Sequence, residues 1–225
     1  MARRDILPPV TSAAEGDRGR LSREAIVATA VRLIEDEGEA AASMRRISAE
    51  LGVAAMSLYN HVPNKAALLD AVGEHVRAQI ELPTDPDLSW EQRARELMRA
   101  FRAVVERYPR CIELMMARAP SSLVGLEPLE FALEMAEQAG FTGRDALRVV
   151  RTFVAYAVGA TTTAENRAHA AAALFDQGQV PELPPIEQYP RINALGLELF
   201  LDDDTDFEFG LDLLIEAVTH LRRTG

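Results

Sequence analysis

Residues 43–65 read SMRRISAELGVAAMSLYNHVPNK, and their spacing decides the fold of the first part of the chain. Ile47 and Leu51 lie four positions apart, which places both on one face of a helix from about residue 44 to residue 51. Gly52 follows directly, and glycine readily takes the left-handed conformation that ends a helix. The spacing therefore predicts a short helix that stops in a tight turn.

A second short helix is predicted from about Ala55 to Asn60. It buries Leu58, and Pro63 prevents it from continuing because proline cannot extend a helix. Two short helices joined by a glycine turn form a helix-turn-helix, whose second helix is sized to enter the DNA major groove. The same pattern describes an αα-hairpin that only packs, since a glycine C-cap between two helices looks alike in both. The pattern alone leaves both interpretations open.

The longer string SLYNHVPNKAALLDAV, from Ser57 to Val72, strongly resembles the end of the DNA-binding domain in the TetR (tetracycline repressor) family of bacterial regulators. A Leu-Tyr-x-His-Val/Phe-x-x-Lys-x-x-Leu pattern recurs in that family. The resemblance covers Leu21 to about Val76. It implies an all-α protein with an N-terminal helix-turn-helix head of three to four helices and a C-terminal helical domain for ligand binding and dimerisation.

Composition predicts an arm followed by two domains. Residues 1–20 are rich in proline, glycine, serine and charge, and we expect a disordered arm. We expect residues 21–81 to form the helix-turn-helix DNA-binding domain and residues 88–225 the ligand-binding and dimerisation domain. Between them, two prolines and a capping box in residues 81–92 mark a linker and a new helix. The segment 90–166 resembles the ligand-binding domain of tetracycline-repressor-like members.

Apolar residues at helical spacing predict further helices along the chain. Their expected limits are about 22–38, from 65 onwards, 90–108, 111–118, 126–139, 142–165, 192–201 and 207–222. Residues 166–190 combine an alanine run with prolines and are predicted to be a mobile loop or a partial helix. The last helix carries an apolar stripe formed by Leu211, Leu214, Val218 and Leu221. This stripe and residues 159–160 are expected to pair with a second copy as a four-helix bundle, and the alternative is that the stripe closes the core of one protomer.

The net charge of −11 is unusual for a nucleic-acid-binding protein, but most of the acid lies downstream of the predicted head. Residues 1–81 carry a net charge of −2 and the remaining residues −9. A local basic face can still meet phosphates, while an acidic body discourages indiscriminate DNA association. The chain has neither an apolar stretch typical of a membrane span nor a signal-peptide pattern. Its single cysteine, Cys111, suits a reducing cytoplasm, where we expect the protein to reside.

Thirteen side chains are candidates for contact with double-stranded DNA. They are Arg18, Arg20, Ser43, Met44, Arg45, Arg46, Ala55, Met56, Ser57, Tyr59, Asn60, His61 and Lys65. Asn60 can pair bidentately with adenine and Arg45 with guanine, and the methyl groups of Ala55 and Met56 can touch thymine methyls. The two arm arginines can enter a narrow minor groove, although solvated tail charge explains them equally well.

The other polar candidates on and directly after the predicted second helix favour contacts with phosphates. Tyr59, His61 and Lys65 match positions at which TetR-family members hold the DNA backbone, and Ser57 matches a hydroxyl position used there as well. Asn60 occupies a position at which the tetracycline-responsive members often have an aromatic residue. The alternatives are that Tyr59 packs on the helix predicted for about residues 22–38 and that Met56 only faces solvent.

The effector site is expected between the helices of the C-terminal domain. The candidate ligand-binding residues are Phe101, Met115, Met116, Phe131, Met135, Phe153 and Tyr156. Such a lining favours an apolar or aromatic compound, although stripes of this kind are more often plain core. In tetracycline-responsive members, a histidine just before an Arg-Pro pair helps to hold a metal-drug chelate. In the matching run MMARAP of this chain, Met115 stands near the position of that histidine and Ala119 near the position of the arginine. The sequence therefore does not predict magnesium-tetracycline recognition.

An alternative function, a helical Mg-dependent enzyme, is suggested by the cluster Asp202, Asp203, Asp204 and Asp206. No second carboxylate motif accompanies it, so a solvated cap on the last helix is favoured. The histidines are not spaced as metal ligands, and the sequence has neither a nucleophile elbow nor a glycine-rich phosphate loop. We therefore expect no catalytic residue, metal or cofactor. The favoured function is a ligand-responsive transcriptional repressor that binds a pseudo-palindromic operator as a homodimer. A small apolar or aromatic effector would release it.

Overall fold

A computed structural model describes residues 21–120, 122–176, 184–196, 198 and 204–224. All regular secondary structure in these ranges is helical, as predicted, and they contain no β-strand. The helices are α1 Arg23–Glu37, α2 Met44–Glu50, α3 Ala55–Tyr59, α4 Lys65–Arg77, α5 Trp90–Arg107, α6 Cys111–Ala117, α7 Leu123–Gln138, α8 Gly143–Asp176, α9 Pro190–Leu195 and α10 Asp204–Thr224. The predicted arm, with Arg18 and Arg20, lies outside the described residues.

The first four helices form a compact head in which α1 is central. Its apolar face is fully buried, with Ile26 and Leu33 both at 0% exposure. The Ser22 hydroxyl accepts a hydrogen bond from the Ala25 N–H at 3.1 Å, which caps the helix N-terminus. Gly38 ends the helix in a backbone conformation with φ of 91°, which an L side chain rarely adopts. Both ends agree with the limits predicted from the cap residues.

Helices α2 and α3 form the predicted helix-turn-helix. Ser43 caps α2 by accepting a hydrogen bond from the Arg46 N–H at 3.2 Å. Gly52, with φ of 67°, makes the turn between the two helices, and any other residue there would cost about 1–2 kcal/mol. Leu58 is completely buried and anchors α3 against the head core. The other positions of this short helix therefore remain available at the surface.

The C-terminal helices pack as a second helical layer around α8. Helices α5, α7 and α10 all contact α8, and α10 also contacts α5. The predicted capping box at the start of α5 is present, with the Ser89 N–H donating to the Gln92 side chain at 2.8 Å. Phe101, Val104 and Val105 are buried between these helices. This part of the molecule provides the larger share of the core.

Several helix limits in the C-terminal domain differ from the predicted ones, among them α9, which spans Pro190–Leu195 against an expected 192–201, and α10, which begins at Asp204 against an expected 207. Helix α8 continues to Asp176 instead of ending near Glu165, so the partial-helix alternative for residues 166–190 holds for residues 166–176. The alanine-rich sequence there has the highest intrinsic helix propensity, which explains the extension. Helix α7 starts at Leu123, three residues earlier than expected, because Ser122 is its N-cap and accepts from the Gly125 N–H at 3.0 Å. Residues 177–183 lie outside the described ranges.

The apolar stripe predicted for the last helix divides between two faces of α10. Leu211 and Val218 are buried within the protomer, together with Phe207 and Ile215. Leu221 is 57% exposed instead. Its exposed neighbours at four-residue spacing are Phe209, Leu213 and Ala217. The alternative, closure of the protomer core, thus holds for Leu211 and Val218, while a different stripe of α10 faces outward.

The head meets the C-terminal domain mainly through α6. This seven-residue helix packs on α4 along its length and also contacts α1. Cys111, Ile112 and Met115 bury the face of α6 at this junction. A displacement of α6 would therefore be transmitted directly to two helices of the head.

Candidate functional site

Helix α3 presents an exposed surface on a buried anchor. Leu58 is 0% exposed, whereas Met56 is 74% and Tyr59 43% exposed. Asn60, the C-cap of α3, is exposed as well, and Ala55 and Ser57 are half-buried on the same short helix. All the predicted contact residues of α3 thus have accessible surface. Short exposed helices anchored in this way can place side chains against the base edges of a major groove.

The residues predicted to hold phosphates continue from α3 into the start of α4. His61 is half-buried in the connecting turn, and Lys65 is the exposed first residue of α4. The N-terminus of α4 carries partial positive charge, capped by the Asn64 side chain, which accepts from the Ala67 N–H at 2.9 Å. The Lys65 ammonium lies 3.6 Å from Glu39. Exposed pairs of this kind are weak, so Lys65 can exchange Glu39 for a phosphate at little cost.

The candidates on α2 fall into three environments. Arg45 is exposed, and Arg46 forms ion pairs with Glu37 and Glu50, each at 3.2 Å. The hydroxyl of Ser43, a half-buried residue, is used as the N-cap of α2. Met44 is only 9% exposed and packs in the head core. Met44 therefore has little surface to offer to DNA, because its side chain fills the space between helices, and its contact with DNA stays a prediction.

A cavity of about 290 Å³ lies among helices α4 to α8. Among its lining residues are Phe101, Met115, Met116, Leu129, Val150 and Val154. Three arginines also line it, namely Arg77, Arg118 and Arg151. Its size is near the lower end of small-molecule sites, about 300–1,000 Å³, and its lining is mainly apolar, as such sites usually are.

Only three of the seven predicted ligand-binding residues line this cavity, namely Phe101, Met115 and Met116. Met135 and Phe153 instead border a gap of about 30 Å³ beside Trp90, which is no larger than a water-sized space. Tyr156 lines another cavity of about 370 Å³ between α8 and α10 and donates a hydrogen bond to the Phe207 carbonyl at 2.7 Å. Phe131 borders none of the three cavities. The predicted set is therefore distributed over different sides of α8.

Helix α6, which forms one wall of the 290 Å³ cavity, is held at both ends by charged side chains of the head. At its N-terminus, the Glu35 carboxylate accepts hydrogen bonds from the N–H groups of Arg110 at 3.2 Å and Cys111 at 2.8 Å. At its C-terminus, the Arg77 guanidinium donates to the carbonyl oxygens of Met115 and Arg118. Each charge is opposite in sign to the partial charge of the helix end that it binds.

The arginines of the cavity were missed by the sequence interpretation. Arg77 is 7% exposed, and its charge is compensated by Glu74 at 3.3 Å. Arg118 forms an ion pair with Asp70. A signal for Arg77 was present, since the residue follows Val76 on the buried face of α4, where an arginine needs a specific partner. Nothing in the local pattern marked Arg118 or Arg151.

The alternative enzyme function finds no support in the described residues. Asp202 and Asp203 lie outside the described ranges, and Asp206 is 3.9 Å from Arg167 in an exposed ion pair. Within the described part of the chain, no three histidine, cysteine or acidic side chains are grouped as metal ligands would be. Among the same residues, no helix is long and apolar enough to cross a membrane.

A helix-turn-helix head joined to a helical domain with an internal cavity is typical of a two-domain transcriptional regulator. Residues 26–72 match the bacterial regulatory proteins of the tetR family, and residues 82–221 match the tetracyclin repressor-like C-terminal domain. The chain belongs to the TetR family. It is 30% identical to the HTH-type transcriptional repressor DrrR1 of Streptomyces coeruleorubidus over 216 residues, which cover 90% of this chain and 79% of DrrR1.

Solved structures agree with this assignment. ActR of Streptomyces coelicolor in complex with actinorhodin has a TM-score of 0.75 at 26% identity, covering 91% of this chain and 99% of ActR. BioQ with its natural double-stranded DNA operator has a TM-score of 0.60 at 28% identity, covering 89% of this chain and 99% of BioQ. One neighbour is thus bound to a small molecule and another to DNA.

Proposed function

We propose that the protein is a ligand-responsive transcriptional repressor that binds a pseudo-palindromic operator as a homodimer. Two heads would place their α3 helices in successive major grooves, about 34–36 Å apart. The observation that carries this proposal is the surface of α3, where Met56, Tyr59 and Asn60 are exposed around the buried anchor Leu58. The DNA complex of BioQ, a relative with the same fold, supports it.

We assign base recognition and backbone contact to different residues of the head. Asn60 and Arg45 are exposed and carry the donors and acceptors that base edges require. Tyr59, His61 and Lys65 lie together around the start of α4 and would hold the DNA backbone. Ser57, Ala55 and Met56 complete the surface of α3, and Ser43 and Arg46 are further candidates on α2.

The outward stripe of α10 is the proposed dimer face. Phe209, Leu213, Ala217 and Leu221 recur every four residues and are exposed, with Phe209 at 66% and Leu213 at 53%. On the adjacent α8, a Cβ at Gly159 would meet nothing within 4 Å, so the protomer leaves room there for a partner helix. Exposed apolar stripes of this length are usual at homodimer interfaces built as four-helix bundles.

We further propose that a small apolar or aromatic effector binds in the 290 Å³ cavity and releases the operator. Met115 and Met116 of α6 form part of the cavity wall, and the same helix is held by Glu35 and Arg77 from the head. A ligand that repositions α6 would therefore change the orientation of α1 and α4. The shift is limited by the difference in the affinity of the ligand for the operator-bound and released conformations. The actinorhodin complex of ActR supports a ligand-binding body.

Fluorescence anisotropy with DNA from the region upstream of the gene tests the proposal. We expect nanomolar to micromolar binding that weakens steeply as salt increases, because phosphate contacts release counterions. Arg144→Ala removes an exposed arginine at the start of α8, outside the head, and should leave the DNA affinity unchanged. Binding that is absent, or that does not respond to salt, would overturn the proposed function.

A further inference from the structure

We infer that the effector is an apolar or aromatic acid whose anionic group binds Arg151 at the edge of the 290 Å³ cavity. This inference rests on the proposed effector site and adds the chemical class of its ligand. Arg151 lines the cavity and is exposed, whereas its neighbours Val150 and Val154 on α8 are buried or half-buried in the wall. Arg151 therefore lies where an apolar cavity opens to solvent.

The charges around the cavity are unbalanced in favour of an anion. Three arginines line it, and none of the described residues that line it is acidic. Arg77 is compensated by Glu74 and two backbone carbonyls, and Arg118 by Asp70. Arg151, in contrast, forms no hydrogen bond or ion pair with any residue that the structure describes. It is the lining cation whose donors remain available to a ligand.

The geometry also constrains the shape of the ligand. The interior is formed by Phe101, Met115, Leu129 and similar side chains, which give no partner to a buried charge. A charge must therefore be at the end of the molecule that reaches Arg151, and the remainder must be apolar. A carboxylate or sulfonate fits the fork of donors on a guanidinium, which binds such groups with two parallel hydrogen bonds.

Two fluorescent dyes with one aromatic skeleton test the preference. Anilinonaphthalenesulfonate carries an anionic group, and N-phenylnaphthylamine is the same skeleton without it. We expect the unmodified protein to bind the sulfonate more tightly. Arg151→Gln should weaken sulfonate binding about tenfold and leave the neutral dye unchanged, since a charged hydrogen bond at an exposed position is worth about one factor of ten. Arg151→Lys should retain part of the preference.

Arg148 supplies the matched control. It lies on the same exposed side of α8, pairs with Asp145 at 2.7 Å and does not line the cavity. Arg148→Gln should therefore change the affinity of neither dye. Equal loss of sulfonate binding in both variants would mean that the dye responds to the charge of the surface in general and would overturn the inference.

Variants that fill the cavity distinguish a failure of the acid preference from a failure of the proposed effector site. Leu129→Trp, or Leu147→Trp if the first variant has a lowered melting temperature, places an indole in the cavity and should abolish binding of both dyes. If blocking succeeds but Arg151→Gln leaves the sulfonate affinity unchanged, the effector site stands and its acid preference is overturned. If blocking leaves both dyes bound, the cavity is not the site and both statements are overturned.

Discussion

The carboxylate of Glu35 on α1 accepts a hydrogen bond from the backbone N–H of Cys111 at 2.8 Å, across the junction between the head and the C-terminal domain. Helix α6 has no side-chain cap of its own at this end. Glu35 thus acts as an N-cap that comes from another helix, and it joins the first helix of the head to the wall of the 290 Å³ cavity. The remote cap makes the stability of α6 dependent on the position of the head.

Loss of this cap should destabilise the protein. We expect Glu35→Ala to lower the free energy of unfolding by about 1 kcal/mol, which is typical for removal of an N-cap. Urea denaturation followed by circular dichroism measures the change. Asp36→Ala is the control, because Asp36 is exposed and its pair with Arg32 at 3.6 Å should contribute less than about 0.5 kcal/mol. Equal effects of the two substitutions would contradict a special role for Glu35.

The thiol of Cys111 should make stability depend on alkaline pH. Burial and the neighbouring Glu35 raise the pKa of this thiol above its ordinary value. Above about pH 8.5 the unfolded chain loses the proton while the folded protein keeps it, so the free energy of unfolding falls by about 1.4 kcal/mol per pH unit. Serine does not titrate in this range, so Cys111→Ser should remove this contribution to the slope. Parallel pH profiles of the two proteins between pH 8 and 10 would disprove the effect.

Lys65 is the single lysine of the chain and is predicted to hold a phosphate. Lys65→Ala should weaken operator binding to a similar extent for all operator sequences. It should also reduce the slope of log affinity against log salt by about two units, because each of the two heads loses one phosphate contact. Glu39→Gln tests the same contact from the other side, because it removes the partner at 3.6 Å and should increase DNA affinity. An unchanged salt slope in Lys65→Ala would exclude the phosphate contact.

Asn60 is predicted to recognise a base. If its amide pairs with adenine, Asn60→Ala should cost about 1–3 kcal/mol at one position of each operator half-site and little elsewhere. Anisotropy titrations against a set of single-base operator variants provide the measurement. Asn166→Ala replaces the same residue type on the exposed surface of α8 and should have no effect. A uniform loss over all operator variants would instead assign Asn60 to phosphate contact.

The outward stripe of α10 predicts the dimer face. Leu213→Glu should convert the dimer into a monomer, measured by size-exclusion chromatography with light scattering, and should abolish high-affinity operator binding. Leu123→Glu is the control, since Leu123 is 84% exposed but lies on α7. If Leu213→Glu remains a dimer and Leu123→Glu becomes a monomer, the dimer interface lies on α7 instead.

Local sequence signals were sufficient for most helix limits and for the helix-turn-helix. Ser22, Asn64 and Ser89 mark helix starts because a cap depends on contacts within about four residues. The left-handed turn at Gly52 is equally local. The family string from Ser57 onwards then distinguished a DNA-reading hairpin from one that only packs, which periodicity could not do. These features require no knowledge of distant parts of the chain.

Only the tertiary structure decided which faces are buried and which side chains meet. Met44 is buried in the head core and Leu221 is exposed on α10, although both occur in apolar helical patterns. The hydrogen bond between Glu35 and Cys111 connects residues that are 76 positions apart, and no spacing rule predicts it. The cavity likewise collects residues from five helices, so its arginines could not be recognised locally. Burial and pairing depend on how helices pack, and packing is set by the whole core rather than by the neighbouring turns of one helix.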